Sequence, residues 1–268
     1  MVLADTRILD SITQVHAGEH TVIIAASHGA EYAGYLGARL GARGLIFNDA
    51  GVGKDAAGIS ALPALEECGI AGATVDHDTA RIGDGFDCAE RGVISAVNAT
   101  ATACGCEVGQ SAMACARAMH DADEPESSLG PTDQQVVLLD DGAVPVWGMD
   151  SLSLVEEEHA ETIVITGSHG ERLAGERTGE TYLPTPVAGA TFFDAGPGID
   201  GAGTGRLEVL DDRGIPAATI NVDTAHIGDA QSAWETGRLS HINDEAIERG
   251  VRVGDDCRAF AVAVRAHL

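Results

Sequence analysis

The chain has 268 residues, 44% of them hydrophobic, with 42 acidic side chains against 16 basic ones and a formal net charge of -26. That length and apolar content predict a packed globular protein with one large core or two modest ones. So acidic a surface repels nucleic-acid phosphates and anionic membranes, and no stretch reaches the roughly 18 apolar residues of a bilayer span, so neither partner is expected.

Lys54 is the single lysine; every other basic residue is arginine. An acidic, lysine-poor, alanine- and glycine-rich chain is expected of a salt-loving organism, where molar salt screens the self-repulsion. The opening MVLADTRILDSITQV lacks the basic-then-apolar pattern of a signal peptide. Cys68, Cys88, Cys104, Cys106, Cys115 and Cys257 form no CxxC and read as small buried hydrophobes. A reducing, cytoplasmic setting is the expectation.

In chain order, TVIIAAS at 21–27 is a short β-branched apolar run, the pattern of a buried parallel strand, followed by His28-Gly29 and a helical segment. GLIFND at 44–49 predicts a second strand. It leads through Asp49-Ala50-Gly51 and Gly53 to a helix holding Ile59, Leu62 and Leu65. AGATVD at 71–76 predicts a third strand, which passes through Asp78-Thr79-Ala80 to a helix with Val93, Ile94 and Val97 on one face. The segment 121–134 is acidic and rich in Pro and Ser, a linker; QVVLLDD and AVPVWGM after it read as a hairpin.

The remainder repeats what came before. IFNDAGVGKDAAGI at 46–59 aligns with FFDAGPGIDGAGT at 192–204, ATVDHDTARIGD at 73–84 with ATINVDTAHIGD at 218–229, and ERGVISAVN at 90–98 with ETGRLSHIN at 235–243. All share an offset of 145. IIAASHG at 23–29 and VITGSHG at 164–170 align four residues out of that register, and the prolines of TYLPTP at 181–186 mark the loop that absorbs the difference. LDSITQV at 9–15 aligns with MDSLSLV at 149–155. The expected architecture is therefore α/β: a tandem duplication of a βαβαβα unit, mainly parallel sheet or sheets with helices on both faces, and a pseudo-twofold. The expected divisions are 1–120, a linker with short strands at 121–148, and 149–268.

Ligands of open parallel sheets bind beyond the carboxyl ends of the strands, where all the repeated polar signatures fall. His28, Asp49, Lys54, Asp78 and His169 are the candidate catalytic groups. Ser27, Asn48, Gly51, Gly53, His77, Thr79, Arg81, Ser168, Asp194 and Asp223 are the candidate substrate contacts. His28, Asp49 and Asp78 form a His/Asp set suited to Mn, Zn or Mg, although no compact metal motif such as HExxH is present. Plainer roles compete: Asp55, Asp200, Asp84 and Asp229 suit helix N-caps, and the loop glycines suit turns with positive φ.

The first half alone carries Asn48, Lys54, His77 and Arg81, facing Phe193, Ile199, Val222 and His226. An amine beside a glycine loop suits a substrate carboxylate. The leading expectation is a hydrolase of a small polar or anionic, carboxylate- or amide-type substrate, working by His/Asp acid-base or metal-assisted chemistry. A racemase, isomerase or lyase using matched groups of the two halves is the alternative, and a non-enzymatic ligand clamp or sensor the third. A small-molecule ligand and a homo-oligomer are the partners expected. GVGKD lacks the Walker spacing, and no GxSxG elbow occurs.

Overall fold

The computed structural model describes residues 6–14, 21–125, 127, 129–130, 132–175, 183 and 185–268. The first half runs β1 (Thr6–Leu9), β2 (Val22–His28), α1 (Glu31–Arg39), β3 (Gly44–Asn48), α2 (Ala61–Glu67), β4 (Ala71–Val75), α3 (Gly85–Arg91), β5 (Ile94–Val97), α4 (Ala99–Ala103) and α5 (Ala112–Met119). The second runs β6 (Val136–Asp140), β7 (Val146–Met149), β8 (Ile163–His169), β9 (Gly189–Phe193), α6 (Gly205–Asp211), β10 (Ala217–Ile220), α7 (Ala230–Thr236), β11 (Leu239–Ile242), α8 (Asp244–Glu248) and α9 (Cys257–Arg265). Half of the loop expected at 181–186 lies outside the described residues.

Two separate sheets result, one of five strands in the order β1-β2-β3-β4-β5 and one of six in the order β11-β10-β9-β8-β7-β6. β1 to β4 are parallel, as are β7 to β10, while β5 and β11 close one edge antiparallel in each half. β6 and β7 form the expected hairpin, but β7 takes the place in its sheet that β1 takes in the first half, so both hairpin strands belong to the second sheet.

Val93, Ile94 and Val97 are a correction to the sequence reading. Their spacing resembles a helical face, yet Ile94–Val97 is β5. The pairing of β5 with β4, together with the Ser95–Thr74 hydroxyl contact at 3.0 Å, covers an edge that would otherwise expose unpaired backbone groups. The same bond recurs as Ser240–Thr219 at 3.0 Å in the second half.

Each sheet is covered on both faces, as alternation along its strands requires. Ile23 and Ala25 of β2 pack with Leu45, Phe47, Ala61 and Leu65 on the α1/α2 side, whereas Val22, Ile24 and Ala26 pack with Cys88, Cys115 and Met119 on the α3/α5 side. Full burial of one such branched side chain contributes about 1.5–3 kcal/mol.

The halves meet at the carboxyl ends of their strands. The two Asp-Ala-Gly loops touch there: Gly51 has φ +76°, and a methyl group on it would lie 2.8 Å from the Gly196 Cα. Around this point the contacts are reciprocal. Lys54 N–H donates to the Val222 carbonyl at 3.0 Å, and Ile199 N–H to the His77 carbonyl at 2.9 Å. Arg81 pairs with Asp200 at 2.8 Å, and the aligned His226 pairs with the aligned Asp55 at 2.7 Å. Ala50, Ala57 and Ile82 of the first half share one apolar cluster with Ala195, Val222 and Ile227 of the second. Among the described residues, no helix is long and apolar enough to cross a membrane.

Candidate functional site

The end of β2 is shaped by its neighbours. Ser27 accepts the Ile12 N–H at 3.0 Å and Ser168 the Leu152 N–H at 2.9 Å, so each serine fastens the short turn after the first parallel strand of its half. The next residue, His28 or His169, is thereby set at the rim. Each imidazole rests against the backbone of the opposite half: a methyl on Gly228 would come 3.4 Å from His28 Cε1, and one on Gly83 would come 3.4 Å from His169 Cε1.

Both histidines line one cavity of about 410 Å³ between the halves, with Ser11, Ser27, Tyr32, Asp55, Asp150, Ser151, Ser168, His226 and Asp229 also on its wall. His28 keeps part of its surface on the cavity, but its Nδ1 is buried and meets no hydrogen-bond partner among the described residues. Burial holds its pKa down at about 4. His169 is also held well below 6.5, by burial first, then by the nearby Arg206 charge and by repulsion from His28 when that ring is protonated. Its Nδ1 accepts the Glu171 N–H at 3.3 Å, which leaves the proton of the neutral ring on Nε2. Both rings are therefore neutral at pH 7.

Asp49 and Asp194 stand elsewhere, within the loops where the halves touch. Asp49 Oδ1 accepts the N–H groups of Gly51 and His77, each at 3.1 Å, as Asp194 Oδ1 does those of Gly196 at 3.2 Å and Val222 at 3.1 Å. His77 adds a ring bond to Asp49 at 2.9 Å. Burial alone would raise the Asp49 carboxyl, but hydrogen bonds from His77 and Ser95, the His77 charge and the Gly51 N–H hold it low. The bond to Asp49 raises His77 against the opposing effect of burial, and the charges of Asp49, Asp78 and Asp76 add to the rise.

Asp49, Asp76 and His77 have donor atoms within 4.8 Å of one another, and they are the one such group of three or more among the described residues. The metal set expected from sequence is thus not the one brought together: His28 lies on the inter-half cavity, and Asp78 is exposed, its side chain 73% accessible. Because His77 is bonded to Asp49 through Nδ1, a cation on that nitrogen has to displace a charged hydrogen bond.

Other expected contacts are engaged in holding the protein together. Asn48 donates to the Ala80 carbonyl at 3.1 Å and accepts the Ala50 N–H at 2.9 Å. Thr79 ties the Asp76 carbonyl to the Val93 N–H at 2.8 and 3.0 Å. Lys54 reaches across to Thr236 at 3.1 Å and to the Thr224 carbonyl at 3.5 Å. Asp223 is exposed, like Asp78, and Gly53 packs on Val222. Asp84 and Asp229 are N-caps of α3 and α7, bonded to Asp87 N and Ser232 N. Asp55 and Asp200 are not caps: both have positive φ and bind His226 and Arg81 instead.

Three further residues escape the sequence reading. Asp150 accepts the Ala230 N–H at 3.0 Å and the Gln135 N–H at 2.8 Å, and burial raises its pKa above the ordinary carboxylate value. Glu171 is pushed up by burial to about 7, against the pull of Arg172, Arg206 and Arg81. Arg206 is 3% exposed. The signal for Arg206 was present in the alignment, since it faces Ala61 at an otherwise apolar helix position. Comparison of the chain with protein-family models, with curated proteins and with solved structures finds no match.

Proposed function

We propose that the protein is an enzyme acting on a small polar or anionic molecule held between its halves, and that the reaction is hydrolysis. The observation that carries this reading is the inter-half cavity, with a neutral, partly open imidazole from the end of β2 on its wall. His28 takes a proton from water as the water oxygen attacks an amide or ester carbonyl, and returns that proton to the leaving group. A buried base with a pKa near 4 is weak by itself; an anionic substrate nearby favours the imidazolium and strengthens it. This favours a carboxylate-bearing or otherwise anionic substrate. Lys54 and Arg81, engaged across the halves, are not its anchors in this reading.

His28→Gln should lower kcat/KM roughly 10²- to 10⁴-fold for small amides, lactams and esters that the wild-type protein turns over. An unchanged rate, or a ligand that raises the melting temperature and is recovered intact, overturns the hydrolytic reading.

A second reading is favoured by one specific observation: His169, from the other half, lines the same cavity. Matched groups on two sides of a bound carbon suit proton transfer in a racemase or isomerase. In that case solvent deuterium enters the substrate without net hydrolysis, and both His28→Gln and His169→Gln stop it.

A further inference from the structure

The cavity continues past His169. A recess of about 70 Å³ shares Ser11, Thr13, Ser151, Ser168 and His169 with the larger space and adds Ser153, Leu152, Leu173 and Arg206. In a chain with 42 acidic residues, none of the described residues lining this recess is Asp or Glu.

The backbone hydrogen bonding at position 206 does not depend on an arginine side chain. Arg206 N–H donates to the Gly170 carbonyl at 2.8 Å, and the aligned Ala61 N–H donates to the Gly29 carbonyl at 2.9 Å, so the backbone is alike in both halves. Only the second half places a guanidinium there. It is buried, and its Cζ lies 5.8 Å from the centre of the Phe192 ring.

The surrounding groups are hydrogen donors. Ser168 Oγ already accepts the Leu152 N–H, so its hydroxyl hydrogen is left to give. Ser11 and Thr13 share one hydrogen bond at 2.8 Å, as do Ser151 and Ser153 at 2.8 Å, and each pair retains one hydroxyl hydrogen for a further acceptor. His169 carries its proton on Nε2. Hydroxyl donors, the His169 ring N–H and the Arg206 guanidinium, whose charge also acts on Glu171, suit an oxoanion in a space this small.

We propose that this recess anchors an oxoanion group, a carboxylate or phosphate, of the molecule held in the larger cavity, with Arg206 as its charged contact and Ser168 and the two hydroxyl pairs completing the cradle. The inference rests on the reading of the inter-half cavity as a substrate site and names its substrate class. His169, on the wall of both spaces, then borders the anchored group as well as the cavity that His28 lines.

The test is calorimetric titration of the full chain, at constant ionic strength, with inorganic phosphate and with acetate. Arg206→Ala copies the residue that the first half already tolerates, and Arg206→Lys keeps the charge if the alanine variant fails to fold. The wild type should bind one of the two anions, and the tighter one identifies the group. Arg206→Ala should weaken binding at least tenfold, Arg206→Lys less so, and His28→Gln should retain it. No binding by the wild type, or equal binding by the foldable arginine variants, overturns the anchor. Retained anion binding without any turnover removes the hydrolytic reading and leaves the anchor standing. Unchanged anion affinity in the arginine variants alongside loss of turnover in His28→Gln does the reverse.

Discussion

Replacing Gly203 with alanine should cost more than about 4 kcal/mol of stability, enough to leave much of the protein unfolded under conditions where the wild type is folded. Its added methyl would overlap the Asp194 carbonyl oxygen and stand 2.5 Å from the carbonyl carbon. Both are backbone atoms of the loop that meets the other half, and the same glycine donates its N–H to the Pro197 carbonyl at 2.7 Å. Neither contact can yield without opening that loop. A methyl on Gly58, the aligned residue, would overlap the Asp49 carbonyl oxygen to a smaller extent, and the variant should behave similarly, though less severely. Gly250→Ala separates the two possible causes. That position has φ +84° with nothing within 4 Å of the added methyl, so it incurs only the backbone penalty of about 1–2 kcal/mol. Urea unfolding of the three variants should rank them Gly203, Gly58, Gly250. Equal losses would mean that the loops give way to the added methyl at little cost.

Acid should weaken the fold through His28. In the unfolded chain its imidazole protonates near 6.5, but in the folded protein only near 4. The unfolded state therefore takes up the proton first as pH falls. The stability contributed is complete above 6.5, declines from there, and is lost below 4. At about 1.4 kcal/mol per pH unit the gap amounts to at most about 3.5 kcal/mol. His169 acts in the same direction. His77 and Glu171 act oppositely, since both bind a proton more tightly when folded. The contribution of His77 is lost as pH rises above its ordinary 6.5 and through its raised folded value, and Glu171 destabilises the fold as pH rises from 4.5 through about 7. The His28 contribution is isolated by comparing wild type with His28→Gln in urea at pH 7, 5.5 and 4. The wild type should lose up to about 3 kcal/mol more than the variant across that range. Parallel losses would show that the ring is protonated in the folded protein without penalty.

The α/β fold and its two similar halves were legible because the repeated segments carry their register with them, and because buried parallel strands such as Val22–His28 are nearly continuous apolar runs. The antiparallel edge strands were misread. Ile94 and Val97 are three apart, as on a helix, and a four-residue strand is too short for period two to outweigh that spacing. Of the candidate site, the placement of His28 and His169 at strand ends was legible, because the apolar runs before them mark the strands. It was not legible where roles depend on the other half. Lys54 and Thr236 are 182 residues apart, and Arg81 and Asp200 are 119 apart. Nothing local distinguishes a cation that pins two halves together from one that waits for a substrate. The clue lay in the pairing of substitutions: Arg81 and His226 are both cation-capable residues, and each faces one of the aligned acids Asp200 and Asp55.

Gly228 under His28 and Gly83 under His169 describe a twofold dimer contained in one polypeptide. In a true homodimer every substitution appears twice, so the two clefts beside the axis must remain identical. Here they have diverged. One is the large space beside α1, while the cleft between Arg81–Asp84 and Glu171–Ala174 encloses about 330 Å³ and carries a carboxyl that titrates near neutrality. Joining the halves in one chain allows either wall to be altered by a single mutation, just as a buried arginine can stand at position 206 while the aligned position 61 keeps alanine. Symmetry then supplies the scaffold, and asymmetry is left available for chemistry.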